Sequence, residues 1–353
     1  MDQLGPRKVV PVGAATVAVG AVLFASGDPV LASVGRFMQG AGGVFALIGA
    51  AYLATTHFPA TRAATLIGAT QMFGMAGGSA GQFAVGPAIS AGLAWDQFWF
   101  WMGIAGLPIA LLLYLFIPAR SRVAQPGAQR WLRQAASAMG SVLCNRQSIL
   151  CGLISGLLFI PTTIFDMVWG VRFLQEAHGL PYSMAVLKSA SVPAGWIIGC
   201  PLLGCISDRL GRRKPVIAGG AAVLLLTLSM ILFGPADLLP PYSLGLIAGI
   251  ASGAAMLPYT VIKESNRPEH SGTATGVINF LNFSLTALLG PVFAGLLIRA
   301  AAGGERELGH YQLTFQPLLY GVALAMLLAL VLRETGPASR ATSRKGERLA
   351  AAR

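Results

Sequence analysis

Ten stretches of this chain are apolar for about as long as a helix needs to cross a bilayer, roughly 20 residues. They are Val9–Ser26, Leu31–Thr55, Thr61–Leu93, Phe98–Ile117, Ser148–Arg172, Tyr182–Ile206, Pro215–Phe233, Pro241–Ile262, Gly272–Ala300 and Thr314–Leu332. In hydrocarbon only helices and closed barrels satisfy their own backbone. The runs are continuous rather than alternating, which excludes a barrel. The fold class is therefore an all-α polytopic membrane protein. Composition agrees: 55% of the 353 residues are hydrophobic and 11% charged, against roughly 25% charged in a soluble domain. The 44 glycines suit helices that approach closely without a hydrophobic force between them. The third and ninth runs exceed the bilayer's needs, so a tilt or a break is expected there.

A net charge of +12 would suit a nucleic-acid partner, but its placement excludes one. Twenty of the 25 Lys and Arg fall on one side of the apolar runs. They lie at Arg7–Lys8, at Arg62, in the 118–147 segment, at 209–214, at Lys263 and Arg267, and in the tail after Leu332. Arg172, Arg299 and Arg306 fall on the other side, and Arg36 and Lys188 lie within helices. Such asymmetry puts the basic side in the cytoplasm, with both termini, and the chain in an inner (plasma) membrane. The bilayer is the expected partner. No cleavable signal is visible at Met1-Asp2-Gln3-Leu4. The four cysteines (Cys144, Cys151, Cys200, Cys205) sit in or beside apolar runs, which gives no disulfide framework.

Segment 118–147 is Arg-rich, holds Pro126-Gly127 and is weakly amphipathic from Gln129 to Leu143. It reads either as a helix on the anionic membrane surface or as a solvated linker. Two features recur at long range. Asp2-Gln3-Leu4-Gly5-Pro6-Arg7-Lys8 is echoed by Asp208-Arg209-Leu210-Gly211-Arg212-Arg213-Lys214, 206 residues on. Gly86-Pro87 is echoed by Gly290-Pro291, 204 residues on. Two pairs at nearly one offset point to homologous halves. Two helices precede Asp208 in the second half, whereas only Met1 precedes Asp2. Symmetry thus calls for two more helices at the start; a misassigned start, a truncated or split gene, and a genuine ten-helix form are the alternatives.

The run Gly204-Cys205-Ile206-Ser207-Asp208-Arg209-Leu210-Gly211-Arg212-Arg213-Lys214 resembles, at every defined position, the loop motif Gly-x-x-x-Asp-x-x-Gly-Arg-Arg/Lys-Lys/Arg of the major facilitator superfamily. Arg36-Phe37-Met38-Gln39-Gly40-Ala41-Gly42 is similar to that family's Arg-x-x-Gln-Gly-x-Gly motif. Gly77, Gly78, Gly81 and Gly86-Pro87 match its antiporter motif in part, and Ser90-Ala91 stand where the closing glycines belong. The resemblance covers essentially the whole chain. It implies the two-bundle fold, here about ten helices of twelve: a four-helix bundle over 1–117, a basic linker over 118–147, a six-helix bundle over 148–333, and a tail over 334–353. It implies a cytoplasmic gate at Asp2, Gly5, Arg7, Gly204, Asp208, Gly211, Arg212 and Arg213. There Asp208 latches the third helix and Asp2 the ninth. It also implies that Arg36 tunes a carboxylate; a structural hub is the other reading.

Ionisable residues within the membrane are functional candidates. Asp166 and Lys188 lie at comparable depth on the fifth and sixth helices, either as a proton-sensitive gate or as a structural salt bridge. Gln39, Gln71, Thr162, Thr163, Tyr259, Asn279 and Asn282 are polar near mid-helix and are candidates to line a cavity. Trp169 and Trp196 are candidates for substrate stacking or for interfacial anchoring. No metal cluster, phosphate loop or catalytic triad is evident, so neither an enzyme nor a cofactor is expected. The expected function is secondary transport of a small solute by alternating access, coupled to protons, by a monomer. Export or import of drugs or metal chelates within the same family, and a truncated non-transporting membrane protein, are the alternatives.

Overall fold

A computed structural model describes residues 5–81, 85, 88, 92–118, 128–235, 242–302 and 304–338, and among these no strand occurs. Asp2 and the Gly86-Pro87 pair lie outside the described residues. Among the described residues eleven helices follow one another: α1 Pro6–Phe24, α2 Pro29–His57, α3 Ala63–Ala80, α4 Trp95–Phe116 and α5 Ala128–Leu143. After them come α6 Arg146–Glu176, α7 Tyr182–Leu210, α8 Lys214–Phe233, α9 Ser243–Glu264, α10 Ser271–Ala300 and α11 Leu308–Val331. Among the described residues, nine of these are long and apolar enough to span a membrane. The third apolar run is described as helix over Ala63–Ala80, and most of its remainder lies outside the described residues.

Helices α2 and α6 begin two residues before their apolar runs, where polar caps satisfy the first N–H groups. The Asp28 carboxylate accepts from Val30 N and Leu31 N at 3.0 and 2.9 Å, and Pro29 follows it in the first turn of α2. Asn145 caps α6 in the same way, accepting from Gln147 N at 3.0 Å, while its amide donates to Ser265 O and to Asn266 Oδ1. Hydropathy sees only the apolar stretch between such caps. The α10 helix is continuous over 30 residues, despite Pro291. At 1.5 Å per residue it is about 45 Å long, more than a hydrocarbon core requires. Irregular winding occurs in α6, whose Pro161–Gly170 segment is a wider π-helix, and in α9, which tightens to a 3-10 turn over Gly253–Met256. Pro161 opens the π segment, where it removes a backbone donor and crowds the preceding turn.

The chain divides into two compact units: Met1–Phe58, Ala80–Val142 and Pro268–Gly276 form one, and Pro59–Ser79, Leu143–Arg267 and Val277–Arg353 form the other. In the first, α1 packs on α2 and α4 through small residues. A Cβ on Gly20 would lie 2.6 Å from Gly35 O, and one on Gly103 2.8 Å from Ala18 O. In the second, α7 and α9 cross at Gly195, Gly199, Gly249 and Gly253. There a Cβ on Gly199 would meet Ile250 O at 2.2 Å and one on Gly249 Val192 O at 2.0 Å. Backbone cannot move aside as a flexible side chain can. Gly249→Ala should therefore lower stability by about 1–3 kcal/mol as overpacking, read as a fall in melting temperature in detergent. An unchanged melting temperature would show that the two helices are not held this close.

Candidate functional site

Within the second unit, α6, α7, α8 and α9 enclose a cavity of about 300 Å³. The π segment carries Asp166 into its wall, 7% exposed. Its Oδ1 accepts from Ser189 Oγ at 3.1 Å, and its Oδ2 is buried with no partner. Gly170, one turn on, leaves the space this needs, since a Cβ there would lie 3.0 Å from Ser189 Oγ and 3.1 Å from Asp166 Oδ1. Ser252 of α9 lines the cavity with a hydroxyl that is likewise buried and unpartnered. Lys188 lines the cavity half-buried. Asp166 and Lys188 thus share one cavity, but among the described residues no ion pair joins them. His178, in the turn between α6 and α7, lies beside Lys188; partial burial and then the nearby lysine charge lower its pKa. Thr162 also faces the cavity and accepts from Trp196 Nε1 at 2.9 Å. Trp196 itself is fully buried against Phe159, a core position rather than a platform for a ligand.

Other candidates pair among themselves. The Tyr259 hydroxyl donates to Asn279 Oδ1 and accepts from Asn282 Nδ2, all three buried, which ties α9 to α10. Thr163 meets Thr286 hydroxyl to hydroxyl at 3.1 Å. In the first unit, the Arg36 guanidinium lies 3.9 Å from the Phe24 ring centroid and 4.6 Å from that of Trp99, and it donates to Gln39 Oε1 at 3.1 Å. Two aromatic faces stabilise its charge. Gln71 is half-buried on α3.

The loop motif builds a second centre. The Asp208 Oδ2 accepts from Thr65 N at 2.9 Å and Thr65 Oγ at 2.8 Å, at the start of α3, where the helix dipole favours a carboxylate. Its Oδ1 accepts from Arg213 at 2.6 Å. The fully buried Arg213 also grips Glu264 at the end of α9, at 2.9 and 3.4 Å. Burial pulls the guanidinium's pKa down, but Glu264 and then Asp208 outweigh it, so the net direction is up. The Glu264 carboxylate accepts from the Thr335 hydroxyl, and the Glu334 carboxylate from Arg213 N and Lys214 N. Gly204 brings α7 onto α3, and Gly211 turns the chain at φ +64°, open to glycine at little cost. Arg212 is exposed. At the other copy of the motif, Gly5 precedes α1 at φ +76°, and Arg7 donates to Tyr114 O at 3.2 Å and lies against its ring.

Sequence reasoning missed Ser189, Ser252, Glu264 and Glu334. Scarcity was the available signal for the last two: the chain has only 13 Asp and Glu, so each one that is buried must find a cation or donors. It also missed a cluster at the opposite end of α6. There Arg172 and Arg306 lie 5.7 and 5.6 Å from the Trp169 ring centroid, and Arg306 and the Tyr311 hydroxyl both bond Glu176. Trp169 is occupied by these arginines. Among the described residues no cluster of His, Cys, Asp and Glu could hold a metal.

A family model described as Major Facilitator Superfamily matches residues 1–291. The Multidrug resistance protein Stp of Mycobacterium tuberculosis is 30% identical over 125 residues, 33% of this chain and 23% of that protein. This chain therefore matches under a quarter of its curated relative's length. Among solved structures, a variant of the E. coli fucose:proton symporter FucP superposes with a TM-score of 0.69 at 14% identity, covering 94% of this chain and 85% of that one. A double tryptophan mutant of XylE gives 0.66 at 18% identity, covering 96% and 82%. At these identities the likeness is one of fold.

Proposed function

This chain belongs to the Major Facilitator Superfamily, and from that premise we propose that it is a secondary active transporter of a small solute, working by alternating access with Asp166 as the proton carrier. The carrying observation is a buried carboxylate with one oxygen unpartnered, on a distorted helix, in the wall of a cavity. An ionised carboxylate is costly there unless something pairs with it. A proton or a solute can each discharge that cost, which lets the two exchange. The distribution of Lys and Arg supports an inner membrane with both termini of this chain in the cytoplasm. The Asp208–Thr65 contact supports a latch that is made in one state of the cycle and broken in another, and a single chain is the working unit. Export of drugs is the second reading, supported by the resemblance to the mycobacterial multidrug resistance protein.

The test uses purified protein in proteoliposomes with a panel of labelled sugars, amino acids and organic cations. A pH gradient should drive accumulation of at least one of them, and a protonophore should abolish it. Asp166→Asn should lose gradient-driven accumulation at least tenfold. Gradient-driven accumulation that survives in Asp166→Asn would remove the proton from this residue.

A further inference from the structure

The cavity in the second unit has a carboxyl group, Asp166, and an amine, Lys188, in its wall, and among the described residues no ion pair joins them. Its lining includes Asp166, with an unpartnered Oδ2, and Ser252, 1% exposed and with an unpartnered hydroxyl. Toward the turn after α6 are Lys188 and His178. Among the described residues the Lys188 ammonium makes no hydrogen bond or ion pair, and the fall in the His178 pKa has the lysine charge as its second cause, after burial. Apolar side chains such as Phe165, Leu224 and Leu228 line the same cavity. The rim carries Tyr242, held at φ +77° with its hydroxyl on Met184 Sδ at 3.2 Å. A left-handed tyrosine is strained, and such strain gathers at ligand sites.

Size and chemistry narrow the occupant. About 300 Å³ is on the order of ten water volumes, far more than a proton relay needs. It sits at the lower end of the range for small-molecule pockets. A lipid chain would leave Asp166 and Lys188 unsatisfied, and a simple cation would leave Lys188 so. A molecule with an ammonium group, a carboxylate and a short apolar body satisfies all of them.

We propose that this cavity binds a small apolar zwitterion of the amino-acid class, its ammonium group on Asp166 and Ser252 and its carboxylate on Lys188. The proposal deepens the transport reading and rests on it in one respect: the ligand ammonium and the coupling proton compete for the same carboxylate. Binding needs no gradient, so the two readings fail separately.

The experiment is equilibrium binding to purified protein in detergent. The probes are L-leucine and L-phenylalanine, the matching amines without the carboxylate, and the matching acids without the amine. At least one amino acid should bind ten times or more tightly than both of its truncated partners. Asp166→Asn and Lys188→Gln should each weaken it at least tenfold. The Asp166→Asn/Lys188→Gln double variant should bind the intact zwitterion no better than either single variant. Ser252→Ala, a small change, should weaken binding severalfold while the protein elutes and melts as the wild type does, which separates ligand loss from misfolding. If an amine or an acid binds as well as its amino acid, or if none of the probes binds the wild-type protein, the zwitterion site is overturned. Gradient-driven uptake of some other solute would then leave the transport reading standing.

Discussion

Replacing Arg213 by alanine should cost the protein about 3–5 kcal/mol of folding stability, the usual penalty for removing one partner of a buried ion pair. Arg213 has no exposed side-chain surface, and it faces Asp208 at 2.6 Å and Glu264 at 2.9 Å. Its loss would leave two carboxylates nearly buried, 6% and 10% exposed, with no countercharge from that side chain. Arg213→Lys should fall in between, because an ammonium lacks the planar fork that grips Glu264 through two nitrogens. The adjacent Arg212 supplies the control. It is exposed, and Arg212→Ala should stay within about 0.5 kcal/mol of wild type. Denaturant titrations in mixed detergent micelles measure all three. Equal losses for Arg212→Ala and Arg213→Ala would mean that the motif acts only through its overall charge.

The second large effect is expected at Gly204. A Cβ there would stand 2.6 Å from Ala64 O and 2.9 Å from Thr65 Cα, both backbone atoms that cannot turn away. Gly204→Val should force α7 off the start of α3, stretching the two bonds that Asp208 accepts from Thr65 at 2.9 and 2.8 Å. Overpacking and loss of charged hydrogen bonds together should cost about 2–5 kcal/mol. A double-mutant cycle with Asp208→Asn isolates the mechanism. Both changes weaken the same contact, so their combined cost should fall short of the sum by about 1–2 kcal/mol. Strict additivity would show that Gly204 packs without holding the latch in place.

The legible parts of this protein are those that hydropathy and charge can sum along the chain. Positions of the spanning helices are of this kind, since burial in lipid acts on each run as a whole. The motif from Gly204 to Lys214 was equally plain in the sequence. What it does locally was less so: Arg212 and Arg213 are identical in type and adjacent, yet one is exposed and the other is fully buried and bonds Ser207, Asp208, Glu264 and Glu334. Asp166 and Lys188 were paired by depth along their helices. Depth is one coordinate, and rotation about each axis is another. The π segment after Pro161 alters that rotation for every residue beyond it, so Asp166 meets Ser189 instead. For Arg36 the family resemblance leaves a carboxylate-tuning role and a structural hub both open, and the structure places it against two aromatic rings and Gln39, which no count of charges along the chain could reveal.

The amino-acid sequence by itself determined that this chain is a bundle of membrane-spanning helices, where its basic loops lie, and to which family its loop motif belongs, because each follows from residues close together in the chain. Only the tertiary structure decided which arginine closes the Asp208 network, which polar groups are consumed as helix contacts, and which carboxylate is left with a free oxygen beside a cavity. Those outcomes depend on the rotation and approach of helices far apart in sequence. That geometry is settled by glycine contacts such as Gly204 on Ala64 and Gly249 on Val192, and by backbone irregularities that hydropathy does not register.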